Sequence, residues 1–196
     1  MRPESYTRPE YVAAFRELAA RIAASLSDVA QSALPIRMYV AGGAALHFHT
    51  GERVSVDVDA TFSRRIALPD GLDVAYRDED GTARLLYFDR QYNDTLGLMH
   101  ENAQHDSIPL ALQGIDPRVL DVRILAPVDL AVSKLGRFSE QDRADIAALA
   151  RRGLVNASDL ERRAIEALDA YVGDTQRLRG SIAGAVQIVS ANGPPK

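Results

Sequence analysis

Cysteine is absent from this 196-residue chain, and only two of its 23 basic residues are lysine. Without cysteine the chain has no disulfide, no thiol nucleophile and no cysteine-ligated zinc or iron–sulfur site. This usage is typical of a reducing compartment, and we expect the protein in the cytoplasm. Long apolar runs are also absent: none approaches the roughly 18 residues that span a membrane. The first residues, MRPESYTRPEYVAAF, lack the apolar stretch of a signal peptide.

The remaining composition is that of an ordinary globular protein, with 46% hydrophobic and 26% charged residues. The net charge is −4, and the acidic excess lies in the middle third, where residues 54–126 carry thirteen acidic and seven basic side chains. This balance favours a cation site over a general nucleic-acid coat, which usually needs a basic domain. A local RNA-binding patch stays open as an alternative.

Hydrophobic periodicity predicts a helix, a strand, a short helix and a second strand in the first third of the chain. Residues 8–31 repeat apolar side chains at helical spacing, and IRMYVA indicates a short buried strand. GGAALHFHTG predicts a tight turn into a short helix that ends at Gly51. RVSVDVDATF alternates and predicts one strand, with Val54, Val56 and Val58 facing the core.

The rest of the chain predicts a hairpin, a last strand and then helices. LDVAYR and TARLLYFD flank a DEDG turn, DTLGLMHENAQ could be a helix, SIPLALQ a strand, and VLDVRIL the last strand. Helices follow from Pro127, one of them with Ser139 as its N-cap. The fold class is therefore α/β (α+β), a small mixed sheet with flanking helices. We expect a core at residues 1–126 and a helical C-terminal part at 127–196.

Two aspartates form the candidate metal site. Residues two apart on a strand share a face, so Asp57 and Asp59 would project side by side, roughly 7 Å apart along the chain. Carboxylates so placed can share divalent cations such as Mg²⁺, which prefers oxygen ligands. Gly42 and Gly43, between a strand and a helix, would let backbone N–H groups approach phosphate closely.

The stretch GGAALHFHTGERVSVDVDATF resembles the first motif of nucleotidyltransferases related to DNA polymerase β. The likeness is closest to the minimal bacterial branch of AbiEii-type abortive-infection toxins. That motif has a glycine pair, a short helix, an arginine, a serine or threonine, and then D-x-D. The matching residues here are Gly42, Gly43, Arg53, Ser55, Asp57 and Asp59.

A second match covers VRILAPVDLAVSKLGRFSEQDRADIAAL, which resembles the family's later motif. That motif has an apolar strand, a helix carrying a lysine, a basic residue and D-x-x-D-I. Lys134, Arg137, Asp142 and Asp145 stand at those positions. The resemblance implies that Lys134 steadies nucleotide phosphates, while the two aspartates orient Lys134 or Arg137, or bind an acceptor.

The resemblance implies transfer of a nucleoside monophosphate from an NTP to a hydroxyl, dependent on Mg²⁺ or Mn²⁺. The acceptor would be RNA such as a tRNA 3′ end, a protein or a small molecule, and the toxin branch implies a cognate antitoxin. Family members usually add a third carboxylate, for which Asp89 is the first candidate and Asp106 and Asp121 are alternatives. A catalytically inactive nucleotide-binding module is the alternative function.

Other side chains are expected to be less informative. His47 and His49 are two apart, which does not suit one helical face, and we expect both at the surface. Tyr87 and Tyr92 could stack on a base, although packing is the simpler interpretation. Arginines in the helical third could form a basic strip for RNA: Arg151, Arg152, Arg162, Arg163, Arg177 and Arg179.

Overall fold

The computed structural model describes residues 6–93 and 97–194 of the chain. These form two compact units, one of residues 6–92 and Ser107–Ile124, the other of the described residues within 93–106 and 125–194. The first unit contains small mixed sheets and the second is helical. The predicted α+β class is confirmed. Within the described residues, no helix combines the length and apolarity needed to cross a membrane.

The first unit contains two α-helices, a 3₁₀ turn and seven strands. In chain order they are α1 (Pro9–Ala24), the 3₁₀ turn (Gln31–Ala33), β1 (Ile36–Val40), α2 (Gly42–Thr50), β2 (Asp57–Val58), β3 (Ala60–Phe62), β4 (Asp73–Arg77), β5 (Ala83–Phe88), β6 (Ile108–Pro109) and β7 (Leu120–Ile124). The second unit contains α3 (Pro127–Ser133), α4 (Glu140–Arg151), α5 (Ala157–Asp169) and α6 (Thr175–Asn192).

Helix α1 is shorter than the sequence indicates. Its buried stripe follows the predicted spacing, with residues such as Phe15, Leu18 and Ile22 fully buried. The prediction of a helix to residue 31 was wrong, because α1 ends at Ala24. The Ser25 hydroxyl donates to the Ile22 carbonyl at 2.7 Å. Serine side chains that bond nearby backbone in this way compete with the helical pattern.

The strands of the first unit form two sheets. One has the order β3-β1-β7-β6, and the other has the order β2-β5-β4. In the first sheet, β1 pairs with β3 in the antiparallel and with β7 in the parallel direction. In the second, β5 pairs with β4 in the antiparallel and with β2 in the parallel direction. The predicted hairpin of LDVAYR and TARLLYFD is confirmed.

The chain passes from one sheet to the other at Asp59. Strand β2 ends at Val58 in the second sheet, and β3 begins at Ala60 in the first. The prediction of one continuous strand was therefore wrong. The Val56 side chain, expected in the core, is 59% exposed, whereas Val58 is fully buried. Val56 lies just before β2, where the chain enters the edge of the sheet.

Residues 92–118 also differ from the sequence interpretation. The predicted helix includes residues 94–96, which lie outside the described residues, and its described part is turn and bend. The strand expected in SIPLALQ is reduced to the two residues of β6. Its second residue is Pro109, which has no N–H group to donate, and proline is confined to edge positions in a sheet.

The helices of the second unit begin and end at recognisable signals. Pro127 occupies the first turn of α3, as predicted. The Ser139 side chain accepts a hydrogen bond from the Asp142 N–H, and the Asp142 side chain accepts one from the Ser139 N–H. This reciprocal capping box, which satisfies two backbone donors at the start of α4, confirms Ser139 as the N-cap. Gly153, with φ of +67°, follows the end of α4.

Candidate functional site

The aspartate pair lies at the crossing between the two sheets. Asp57 begins β2, and Asp59 follows the fully buried Val58, whose side chain points to the opposite face. Both carboxylates are half-buried. The Ser55 hydroxyl donates a hydrogen bond to Asp57. The Asp59 carbonyl accepts from the Ala41 N–H at 2.8 Å, which joins the pair to the start of α2.

The glycine pair packs directly against these side chains. Gly42 has φ of +56°, and a Cβ atom there would lie 1.9 Å from the Asp59 Oδ2. A Cβ atom on Gly43 would lie 2.7 Å from the Ser55 Oγ and 2.9 Å from an Arg53 Nη atom. No side chain larger than hydrogen fits at either position. We call the surface formed by Gly42, Gly43, Arg53, Ser55 and Asp59 the glycine cradle.

The start of α2 gives the glycine cradle a positive character. The helix begins at Gly42, and no side chain caps its N-terminus. The first backbone N–H groups of a helix have no intrahelical partner, and the helix dipole adds partial positive charge there. The Arg53 guanidinium lies beside Gly43. Phosphate oxygens suit such a surface, while Asp57 and Asp59 supply the hard oxygen ligands that Mg²⁺ prefers.

His47 is hydrogen-bonded to the backbone of Arg53, a residue of the glycine cradle. The sequence interpretation placed His47 and His49 at the protein surface. That expectation was wrong, since the two side chains are 0% and 4% exposed within α2. The His47 Nδ1 donates to the Arg53 carbonyl at 2.9 Å, and Nε2 accepts from the Arg8 N–H at 3.0 Å. Burial lowers the pKa of His47 to about 4. The neutral ring therefore joins α1, α2 and the segment that leads to Asp57.

A signal for His47 was present in the sequence: both histidines stand inside the apolar run AALHFHT. Tyr11, on α1, packs edge-on against the His47 ring with centroids 4.8 Å apart. The phenol is fully buried, and among the described residues its hydroxyl has no partner at full hydrogen-bond geometry. Burial, together with the nearby Tyr76 and Asp57, raises the pKa of Tyr11 well above its usual range. The two rings that pack together next to this segment, Tyr11 and His47, are therefore both uncharged.

Asp89 lies next to the pair along the sheet. In the parallel pairing of β2 with β5, Asp57 is opposite Tyr87, and the Asp89 N–H donates to the Val58 carbonyl at 3.1 Å. Because side chains alternate along strands, Asp57, Tyr87 and Asp89 share one face. The Asp89 Oδ1 accepts from the Gln91 N–H at 2.8 Å. Its role as third carboxylate stays a prediction.

The two alternatives to Asp89 have other partners. Asp121 lies opposite Arg37 near the start of β1, whereas Asp59 lies beyond the end of that strand. The Asp121 Oδ2 atom lies 3.2 Å from an Arg123 Nη atom and 3.7 Å from the Arg37 Nε atom. Asp106 belongs to the second unit, where Arg163 donates to it at 2.6 Å. Across residues 6–93 and 97–194, no three His, Asp or Glu side chains are grouped closely enough to hold a metal ion.

The second motif forms its own cluster, in the second unit. Lys134 follows the last residue of α3 and is 6% exposed. Its Nζ donates to the Asp145 Oδ2 at 2.6 Å, and Gln141 donates to the other oxygen at 2.9 Å. Arg137 donates to both oxygens of Asp142 at 2.8 Å. Each basic residue of the motif is therefore held by one of its two aspartates.

Asp142 has a second role at the start of α4. Burial raises the pKa of this carboxyl, but hydrogen bonds from Arg137 and Ser139 outweigh burial and lower the pKa to about 2. The side chain is 2% exposed. The same carboxylate that orients Arg137 thus caps the helix that carries Asp145.

The expected basic strip on the helical third is interrupted. Arg163 is 9% exposed, and it donates to both oxygens of Asp129 at 2.8 and 2.9 Å and to Asp106 at 2.6 Å. Asp129 is fully buried. Arg163 therefore binds α3, α5 and the segment before residue 107 together, and is not available to RNA.

One comparison with known proteins gives a family. A family model described as "Nucleotidyltransferase of unknown function (DUF6036)" matches residues 17–181, which include both motifs. No curated protein matches the chain.

Proposed function

Since the chain belongs to this nucleotidyltransferase family, we propose that it transfers a nucleoside monophosphate from an NTP to a hydroxyl group, dependent on Mg²⁺ or Mn²⁺. The observation that carries the proposal is the glycine cradle. Only a hydrogen atom fits between α2 and the Asp59 carboxylate, and the Arg53 guanidinium stands beside it. Phosphate-binding amides and metal-binding carboxylates are thereby placed on one surface.

In this proposal Asp57 and Asp59 hold the metal. Mg²⁺ usually keeps several waters and takes one or two carboxylates together with substrate phosphates, so a two-aspartate site fits it. When bound, the metal neutralises charge that develops on the phosphate oxygens. The Gly42 and Gly43 amides, Arg53 and the Ser55 hydroxyl would contact the triphosphate.

Asp89 is proposed as the third carboxylate. It lies on the same sheet face as Asp57, in the position next to Asp59. A carboxylate there can take the proton of the acceptor hydroxyl on one of its oxygens, which is general base catalysis. Of the three candidates, it is the one whose backbone pairs directly with the strand that carries Asp57.

Lys134 and Arg137 are proposed as phosphate-binding cations held by Asp145 and Asp142. A lysine whose Nζ lies 2.6 Å from a buried carboxylate oxygen has a defined position. Arg137 is paired with Asp142 on one side, while 74% of its side chain is exposed. It can therefore present further N–H donors to a phosphate.

The acceptor is proposed to be RNA, a protein or a small molecule in the cytoplasm. The resemblance to AbiEii-type proteins supports a toxin role, in which transfer arrests growth and a cognate antitoxin opposes it. The interruption of the basic strip at Arg163 favours a local RNA contact over an extended one.

An inactive nucleotide-binding module is the second candidate. One observation favours it: the described part of the chain contains no group of three metal-binding side chains. This candidate predicts nucleotide binding without transfer. It also predicts that the Asp89→Asn variant and the unchanged chain bind nucleotide equally well.

The test is incubation of the purified chain with each α-³²P-labelled NTP, Mg²⁺, and total cellular RNA and protein. We expect label on one acceptor class, lost in Asp57→Asn and Asp59→Asn and retained in Asp116→Asn, a matched change in an exposed turn. Label that persists in both site variants would contradict the proposal. Nucleotide binding without label would favour the inactive module or an acceptor missing from the mixture.

A further inference from the structure

Among the described residues, strand β4 is an open edge of the second sheet. It pairs with β5 on one side, and it is the last strand of the order β2-β5-β4. An open edge presents unpaired N–H and C=O groups that can accept another strand. Three β4 side chains are exposed on one face: Asp73, Ala75 and Arg77.

The hydrogen-bond pattern shows which backbone groups face outwards. The Phe88 N–H donates to the Leu72 carbonyl, and the Asp78 N–H donates to the Thr82 carbonyl. In an antiparallel ladder every second residue bonds to the partner strand. Residues 72, 74, 76 and 78 therefore face β5. The backbone groups of Asp73, Ala75 and Arg77 face away from it.

Space is open beside this edge. A groove of about 500 Å³ is lined by Val74, Ala75 and Tyr76 of β4, by one face of α1 and by residues 113–115. The Arg21 guanidinium, from α1, donates to the Gly71 and Asp73 carbonyls at 2.6 and 2.9 Å. Arg21 thus covers one end of the edge and leaves Ala75 open.

We propose that β4 pairs with β4 of a second copy of this chain, antiparallel, with the two Ala75 residues opposite each other. This register places Asp73 of each copy opposite Arg77 of the other, on the same sheet face. Opposite charges directly across an antiparallel pair are stabilising, and like charges are destabilising. The sequence DVAYR is thus complementary in charge to itself when reversed.

The same register pairs the outward backbone groups. With Ala75 on the two-fold axis, the hydrogen-bonded pairs are Ala75 with Ala75 and Asp73 with Arg77, and these are the residues whose groups face away from β5. The Asp73 carbonyl has two lone pairs, so it can accept from Arg21 and from the second copy together. A closed two-fold contact of this kind forms a dimer and does not propagate. The pairing does not depend on the proposed transfer reaction.

Charge exchange gives a direct test by sedimentation of the full chain over a range of concentrations. In the dimer, position 73 of each copy lies opposite position 77 of the other, so Asp73→Arg and Arg77→Asp each create two contacts between like charges. Each variant should raise the dimer dissociation constant by roughly tenfold or more. The double variant Asp73→Arg/Arg77→Asp should restore dimerisation. The two single variants, mixed in equal amounts, should form a heterodimer. Glu79→Arg, a charge reversal in the exposed hairpin turn, should have no effect.

Ala75→Pro tests the backbone pairing separately. The Ala75 N–H faces away from β5, and proline, which lacks this group, is tolerated on edge strands. The variant should therefore keep the circular dichroism spectrum of the unchanged chain but lose the dimer. A chain that is monomeric at all concentrations overturns the proposal. So does a dimer that Ala75→Pro and the charge variants leave unchanged. A monomer that instead binds an extended segment of another protein through β4 also overturns it.

Discussion

Two aspartate pairs in this protein differ in how deeply they are buried. Asp142 and Asp145, in the second unit, are each 2% exposed and each is bonded to a basic side chain. Asp57 and Asp59, in the first unit, are half-buried; Asp57 accepts from a neutral hydroxyl, and Asp59 lies against a glycine. One pair is neutralised within the protein. In the other pair, Asp59 fits only because its neighbour Gly42 has no side chain. This pair lies on a surface suited to metal and phosphate.

The comparison teaches that burial separates two settings of the same residue type: a fully buried carboxylate is held by a cation of the protein, whereas a half-buried one stays within reach of solvent. Burying a carboxylate without a partner is expensive, so a fully buried pair needs internal cations. A half-buried pair keeps part of its hydration and can exchange water for metal. Variants of the second pair should therefore change stability most, and variants of the first pair should change ligand binding most.

The largest effect on stability is expected from Asp145→Asn. It leaves the buried Lys134 ammonium without its counter-charge, and breaking a buried pair in this way costs about 3–5 kcal/mol. Urea unfolding of the purified chain measures the loss. The double variant Lys134→Met/Asp145→Leu removes both charges and should recover most of the stability. If the single variant unfolds at the same urea concentration as the unchanged chain, the ion pair does not hold this cluster together.

The second effect depends on pH and concerns the support of the first pair. His47 has a folded pKa of about 4, below its ordinary value of 6.5. Between these values the unfolded chain binds more protons than the folded one, so stability falls as the pH decreases. We expect a loss of about 3 kcal/mol from His47 between pH 6.5 and pH 4, with full stability above 6.5.

The measurement is urea unfolding across this pH range for the unchanged chain and for His47→Gln, which does not titrate. The variant should lose less stability than the unchanged chain as the pH falls. His105→Gln is the matched change at an exposed histidine, whose side chain is 87% exposed. Parallel curves for all three proteins would show that His47 does not contribute to the pH dependence.

A smaller effect on stability is expected at Gly42, where the cost of contact with Asp59 can be separated from the cost of a positive φ angle. Gly42→Ala places a methyl group 1.9 Å from the Asp59 oxygen at φ of +56°. Gly71→Ala has a similar φ of +67° with no atom within 4 Å, so it meets the backbone penalty alone, about 1–2 kcal/mol. Gly42→Ala should be less stable than Gly71→Ala, and only Gly42→Ala should weaken nucleotide binding. Equal effects of the two changes on stability and on binding would contradict the close packing of Asp59.

Much of the first unit could be predicted from sequence, because its signals are local. The strand before Gly42, the αL residue Gly51 that ends α2, and the hairpin around DEDG each follow from a few neighbouring residues. The break at Asp59 could not be predicted, since alternation in RVSVDVDATF is the same whether one sheet or two receive the strand. Which sheet a strand joins depends on distant partners, here β5 for Val58 and β1 for Ala60.

In the candidate site, too, residues close in the sequence could be predicted and contacts between distant residues could not. The motif spacing indicated Asp57, Asp59 and the glycines, because these residues are close in the chain. The apolar run AALHFHT marks His47 as buried, but its partners could not be predicted, because the Arg8 N–H and the Arg53 carbonyl are backbone groups. The partners of Arg163 were also missed, since Asp129 is 34 residues away along the chain and becomes a neighbour only when α3 and α5 pack.

The smallest effect on stability, and the clearest contrast with Asp145→Asn, is expected from Asp57→Asn. The asparagine oxygen can still accept from the Ser55 hydroxyl, and the change removes one of two neighbouring negative charges. The free energy of unfolding without metal should change by no more than about 0.5 kcal/mol. In the unchanged chain, Mg²⁺ with a non-hydrolysable NTP analogue should raise the melting temperature, because a ligand that binds only the folded state stabilises it.

That rise should be lost in Asp57→Asn and kept in Asp116→Asn, measured by thermal unfolding with and without Mg²⁺. Asp145→Asn would then be unstable with or without metal, whereas Asp57→Asn would be stable and unresponsive to metal. A melting temperature that still rises with Mg²⁺ in Asp57→Asn would place the metal elsewhere. A large loss of stability without metal would instead make Asp57 a structural residue like Asp145, and the contrast between the two pairs would fail.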